Sequence, residues 1–143
     1  ADASELPALL SRAAELMNAS GLIIWVRDPS GHALRPALGH GYPSGSLMRL
    51  GSISEDGKNA TATAFRTAQM QVVDRHDSSS GALAIPLRSV GCCIGVLSAE
   101  LCDGWESSEA VQANAAIIAA QLATLLPADP PADTAARATR AQT

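Results

Sequence analysis

Two apolar runs, Ala82 to Leu87 and Cys92 to Glu100, flank the turn Arg88-Ser89-Val90-Gly91, and this pair constrains the fold more than any other part of the chain. Ser and Gly supply the turn chemistry of a hairpin. Strict alternation in the second run puts Cys92, Ile94, Val96 and Ser98 on one face and Cys93, Gly95, Leu97 and Ala99 on the other. Both faces are largely apolar, so a layer must cover each side of the sheet. Gly95, inside the strand, leaves room for a close neighbour such as a ligand or a packed helix.

The covering layers are legible on either side of this hairpin. From Glu5 to Met17, Leu6, Leu9, Leu10, Ala13, Leu16 and Met17 recur at three- and four-residue steps, predicting a helix capped by Ser4 with Pro7 in its first turn. Leu22 to Val26 predicts a strand covered on both faces. Asp28-Pro29-Ser30-Gly31 then predicts a tight turn into an antiparallel strand, His32 to Leu38, in which Pro36 marks an edge or a bulge. Residues Gly39 to Gly57 form a long excursion with one short apolar patch at Leu47, Met48 and Leu50, followed by a helix over Asn59 to Thr67 and a short strand over Gln71 to Val73. Ser107 or Ser108 caps a closing Ala-rich helix that runs to Leu126, with Glu106 and Glu109 near its positive end.

This order gives an α+β fold: a central antiparallel sheet of five to six strands with helices on both faces and the N- and C-terminal helices packed together. At 143 residues, with 47% hydrophobic and 17% charged residues, one domain over 1–126 is expected, followed by a Pro/Ala/Thr-rich tail or linker over 127–143. Ala1 in place of an initiator Met fits a piece of a longer protein. A net charge of −4 and a pI near 5.2 oppose phosphate-tracking contact with nucleic acid. No apolar run approaches the roughly 20 residues a membrane span needs. Cys92, Cys93 and Cys102 are too few and too clustered for a disulfide framework, which fits a reducing cytoplasm.

Read together, Gly81-Ala-Leu-Ala-Ile-Pro-Leu87, Gly91-Cys-Cys-Ile-Gly-Val-Leu97, Trp105 and the helix from Glu109 to Leu126 resemble the GAF domain family. Leu22 to Asp28 is similar to that family's first strand, and Gly57 to Gln69 with Gln71-Val72-Val73-Asp74 to its crossing helix and short strand. A sensor fold of the PAS type shares the antiparallel sheet, but the closing helix and the Pro-Leu to Ile-Gly-Val-Leu hairpin fit it less well. The resemblance implies a cytoplasmic regulatory module, not an enzyme, that binds a small molecule of unknown identity and relays a signal to an attached output domain. It also implies a homodimer formed through the terminal helices, for which Leu9, Ile118, Leu122 and Leu125 are the candidate interface residues.

The implied pocket lies between the sheet and the excursion, about Gly39 to Thr67. Its candidate lining residues are Trp25, His40, Tyr42, Ser54, Asn59, Thr63, Phe65 and Arg66, with Arg66 able to hold an anion in a bidentate grip. The cyclic-nucleotide signature of the family cannot be laid onto the chain, since Lys58-Asn59 is reversed and Phe65 lacks acidic partners. No Cys stands in the loop region to hold a bilin. A haem would need His32, His40 or His76 as axial ligand, and each stands beside turn residues. No metal site is expected, because Cys92 and Cys93 should point to opposite faces. Two alternatives stand beside the sensor: a ligand-free dimerisation or docking module, and a cysteine-based free methionine sulfoxide reductase. The second is disfavoured because Gly39 to Gly81 holds no Cys.

Overall fold

The computed structural model describes residues 5–29, 32–43, 45–74, 80–89, 91–102 and 104–126. Helix α1 (Leu6–Met17) leads into β1 (Ala19–Arg27), and β2 (Ala33–His40) returns antiparallel to it. A 3-10 turn at Leu47–Arg49 and the two-residue strand β3 (Ile53–Ser54) interrupt the excursion. Then follow α2 (Ala60–Thr67), β4 (Gln71–Val73), β5 (Gly81–Ser89), β6 (Cys92–Leu101) and α3 (Glu109–Leu125). All strands join one antiparallel sheet of six in the order β3-β2-β1-β6-β5-β4. The expected α+β sandwich is therefore present, with β3 as a strand the sequence reading does not anticipate.

Local chemistry sets the element ends. Ser108 Oγ accepts from Val111 N–H at 3.2 Å and so caps α3, while Asn59 Oδ1 accepts from Ala62 N–H at 2.9 Å and caps α2. The cap position of α1 is held by Glu5, which makes no side-chain cap bond. Ser4, Ser30, Gly31, Val90, His76 and the tail over 127–143 lie outside the described residues. Asp28 N–H donates to the Ala33 carbonyl at 2.8 Å, closing the first hairpin.

Two bulges re-aim side chains that strict alternation would place elsewhere. In β2 the register slips opposite Ile24/Trp25, so Leu38 faces the helix pair while Leu34 faces α2. Pro36 sits at this slip and also beyond the reach of β3, which pairs only with Ala33 and Leu34. In β6 the register slips opposite Leu87/Arg88, and Ile94 joins the face of Leu97 and Ala99, whereas Val96 looks the other way. The expectation that Ile94 and Val96 share a face is thus corrected by one extra residue in the ladder. The close neighbour at Gly95 is also neither ligand nor helix: a Cβ there would strike the Trp25 carbonyl of β1.

The larger core lies between the sheet and the α1–α3 pair. Leu10, Met17, Leu22, Ile24, Leu83, Leu97, Leu101 and Leu122 are almost wholly buried there. On the opposite face α2 covers a smaller cluster. Among the described residues no helix is long and apolar enough to cross a membrane.

Candidate functional site

The face under α2 is closed by packing. Ile23, Trp25, Leu34, Ala64, Ala84 and Val96 form its buried cluster, and Phe65 and Leu47 pack against it. Trp25 is only 5% exposed, and its Nε1–H donates to Ser98 Oγ at 3.0 Å, so the indole's one polar group is satisfied inside the fold. Trp25 therefore stands in the core, and the half-buried Phe65 packs against it.

Four further candidates are brought together at the start of α2. Arg66 Nη1 donates to the Glu55 carbonyl at 2.7 Å and to the Gly57 carbonyl at 2.8 Å, and Nη2 to Thr63 Oγ1 at 3.3 Å. Asn59 is occupied by its cap, and Ser54 Oγ accepts from Asp56 N–H at 3.2 Å. Across this segment Arg27 Nε donates to Glu55 Oε2 at 3.2 Å. The grouping ties the excursion to α2 by backbone carbonyls; the fork of Arg66 already holds acceptors of the chain itself.

An open cleft of about 600 Å³ lies beside this packed region, between the outer edge of β2 and the excursion. Its walls include Arg35, Pro36, Tyr42, Pro43, Leu47 and Ser52. Tyr42 is the one residue among the eight candidates that lines it. The ring of Tyr42 lies over Gly21, where a Cβ would collide with the phenol, and its hydroxyl donates to the Glu100 carboxylate. Burial, and after it the charge of Glu100 and the hydrogen bond to it, push the phenol up to about 12. The adjacent Gly41 takes a φ of +88°, and a Cβ there would strike the Ser20 carbonyl, so only glycine fills the position without strain. Sequence reading misses Arg35, Leu47 and Ser52 as lining residues; Pro36, marking a bulged edge, was the available signal for this stretch.

His40 lies apart from the cleft, in a shallow hollow of about 510 Å³ with Glu15, Asn18, Cys102 and Trp105. The three thiols are free and none lines the cleft. Cys93 Sγ donates to the Gly95 carbonyl at 3.2 Å, and burial pushes its thiol up, away from the reactive thiolate. Among the described residues no group of three or more His, Cys, Asp or Glu is placed to hold a metal ion.

On the far side of the sheet, α1 and α3 enclose a furrow of about 400 Å³ along their outer surface, lined by Leu9, Leu16, Ile117, Ile118 and Leu125 with Arg12. Leu122 is fully buried and Ile118 is 6% exposed, so both serve the internal core. Leu16 at 51% and Ile117 at 59% exposure are the open apolar members. Ile117 follows from the weak sidedness of the Ala-rich α3, which the sequence shows without saying which turn faces out.

The family model described as "GAF domain" matches residues 4–126. The fold is similar to the GAF-B domain of DevS from Mycobacterium smegmatis, at 22% identity and a TM-score of 0.68 over 86% of this chain and 90% of that one. It is similar to the GAF domain of an Acinetobacter phosphoenolpyruvate-protein phosphotransferase, at 13% identity and a TM-score of 0.72 over 86% and 80% of the two chains. It is similar also to the free methionine-R-sulfoxide reductase of Neisseria meningitidis in complex with its substrate, at 20% identity and a TM-score of 0.69 over 86% and 76%. No curated protein matches the sequence.

Proposed function

The chain belongs to the GAF domain family, whose members are in general regulatory or sensory domains, and we propose that this one takes a small molecule at the β2 cleft and relays its state through α1 and α3. One observation carries the reading: a single sheet has an open cleft on one side and a helix pair with exposed apolar residues on the other. Tyr42 links the cleft to the strand that leaves α1, since it lines the cleft and bonds Glu100, which pairs with Gly21, four residues beyond the end of α1. A ligand that prefers one arrangement of Tyr42 biases the α1–β1 junction by its difference in affinity for the two arrangements. The output is a homodimer or an attached domain engaged through the furrow, in a reducing cytoplasm where the three free thiols persist.

A second reading, a docking module without ligand, is supported by the cluster of buried side chains packed between α2 and the sheet. A thiol-dependent reductase is the weaker alternative, because no Cys reaches the cleft. Native mass spectrometry of the purified protein separates them. A retained small molecule or a ligand-dependent rise in thermal stability fits the sensor; an empty dimer that no metabolite stabilises favours the docking module; and methionine sulfoxide turnover lost on replacing the cysteines would establish the enzyme.

A further inference from the structure

We propose that the furrow between α1 and α3 is filled by a second copy of this chain, packed antiparallel about a two-fold axis that passes beside Leu9. The inference rests on the reading of this furrow as the output surface and names its partner. Among the described residues that line it, Glu5 at the cap of α1 and Arg12 within that helix are the only charged ones. Both are exposed, and neither ion pair among the described residues involves them. Seven residues apart, they lie on one stripe of the helix with about 10 Å of axis between them, beyond the three- and four-residue spacing at which side chains of one helix pair.

These two charges choose among the ways in which two such furrows can meet. An axis running along the helices sets α1 against the second copy's α3, whose furrow residues Asn114, Gln121 and Thr124 carry no charge. Shifted sideways, it sets α1 beside its parallel copy, with Glu5 against Glu5 and Arg12 against Arg12. An axis running across the helices sets α1 against its antiparallel copy, and Glu5 of each then meets Arg12 of the other, twice over. The midpoint of that pairing falls between Ala8 and Leu9, so the half-buried Leu9 stands at the centre. The same axis sets α3 against its own copy. There the small, exposed Ala113 and Ala120 lie one turn to either side of Ile117 and let the two helices approach, and association covers Ile117 itself.

The test is charge reversal, read by sedimentation equilibrium of the whole chain. Glu5→Arg and Arg12→Glu should each weaken the dimer on the order of tenfold, because each turns two reciprocal attractions into two repulsions. The double variant should recover the wild-type constant to within about threefold. Separately, Glu5→Cys and Arg12→Cys proteins, mixed and oxidised by air, should form a disulfide that joins position 5 of one copy to position 12 of the other, identified by peptide mass spectrometry. A disulfide joining 5 to 5, or a double variant as weak as the single ones, overturns the antiparallel arrangement while the furrow stands as the association surface, provided Ile117→Glu still dissociates the dimer. A chain that stays monomeric at millimolar concentration overturns the second copy as occupant and leaves the furrow to an attached domain. A dimer indifferent to Ile117→Glu overturns the furrow reading as well.

Discussion

Tyr42 rests on Gly21, and its hydroxyl donates to the carboxylate of Glu100, the residue paired with Gly21 across β1 and β6. This contact anchors the excursion to the middle of the sheet. Tyr42 is the one tyrosine of the chain, so its ultraviolet absorbance reports the contact without overlap from another phenol.

The titration midpoint of Tyr42 should lie near 12, against an ordinary value of 10.0, and should fall toward 10.0 in Glu100→Gln. Because the folded state holds the neutral phenol, the contact's stabilisation is complete below the ordinary value and is lost as pH rises through about 12. Tyr42→Phe should show no such loss assignable to this contact. An ordinary midpoint in the wild-type protein would mean that the hydroxyl is solvated and the excursion untethered.

Gly95→Ala should destabilise the fold by roughly 1–3 kcal/mol, the range for forcing an extra carbon into a packed interior. The new Cβ meets the Trp25 backbone carbonyl, which is fixed in the sheet and cannot swing aside as a side chain would. Urea denaturation measures the change. A midpoint equal to wild type would show that β1 and β6 are further apart at this crossing than the register implies.

Leu122 and Ile117 make a paired test of the helix face. Leu122→Ala should cost about 2–5 kcal/mol, since its side chain is fully buried between α3, α1 and the sheet. Ile117→Glu, on an exposed position, should leave stability within about 0.5 kcal/mol of wild type. If the furrow is the association surface, sedimentation should show Ile117→Glu monomeric under conditions where the wild type is dimeric. A folded variant whose dimer persists would place the association elsewhere.

The layered α+β fold is legible in the sequence because two strong signals agree: the doubly apolar β5–β6 hairpin demands cover on both faces, and the spacing of Leu6, Leu10, Ala13 and Met17 supplies it. The bulges were less legible. Pro36 announces one by its missing N–H, but nothing in Cys92-Cys93-Ile94-Gly95 announces the slip that turns Ile94 to the other face. The two-residue β3 is too short to carry a periodic pattern. The candidate residues come from β1, the excursion and α2, and they divide by tertiary geometry. Asn59 and Arg66 satisfy backbone groups, Trp25 fills a core against which Phe65 packs, His40 lies in a separate hollow, and Tyr42 reaches the cleft. Residue type alone does not separate these roles, because an arginine holding its own chain and one open to a ligand differ only in what surrounds them.

The central claim, that the cleft on one side of the sheet is coupled to the helix pair on the other, is tested most directly by hydrogen exchange with and without a saturating small molecule that raises the protein's thermal stability. Protection should change in the excursion and also at the end of α1, through residues 17–22, and along the outer turns of α3, with Tyr42→Phe confining the change to the excursion. A ligand response restricted to residues 35–52 in the wild-type protein would contradict the relay and leave a binding site without an output.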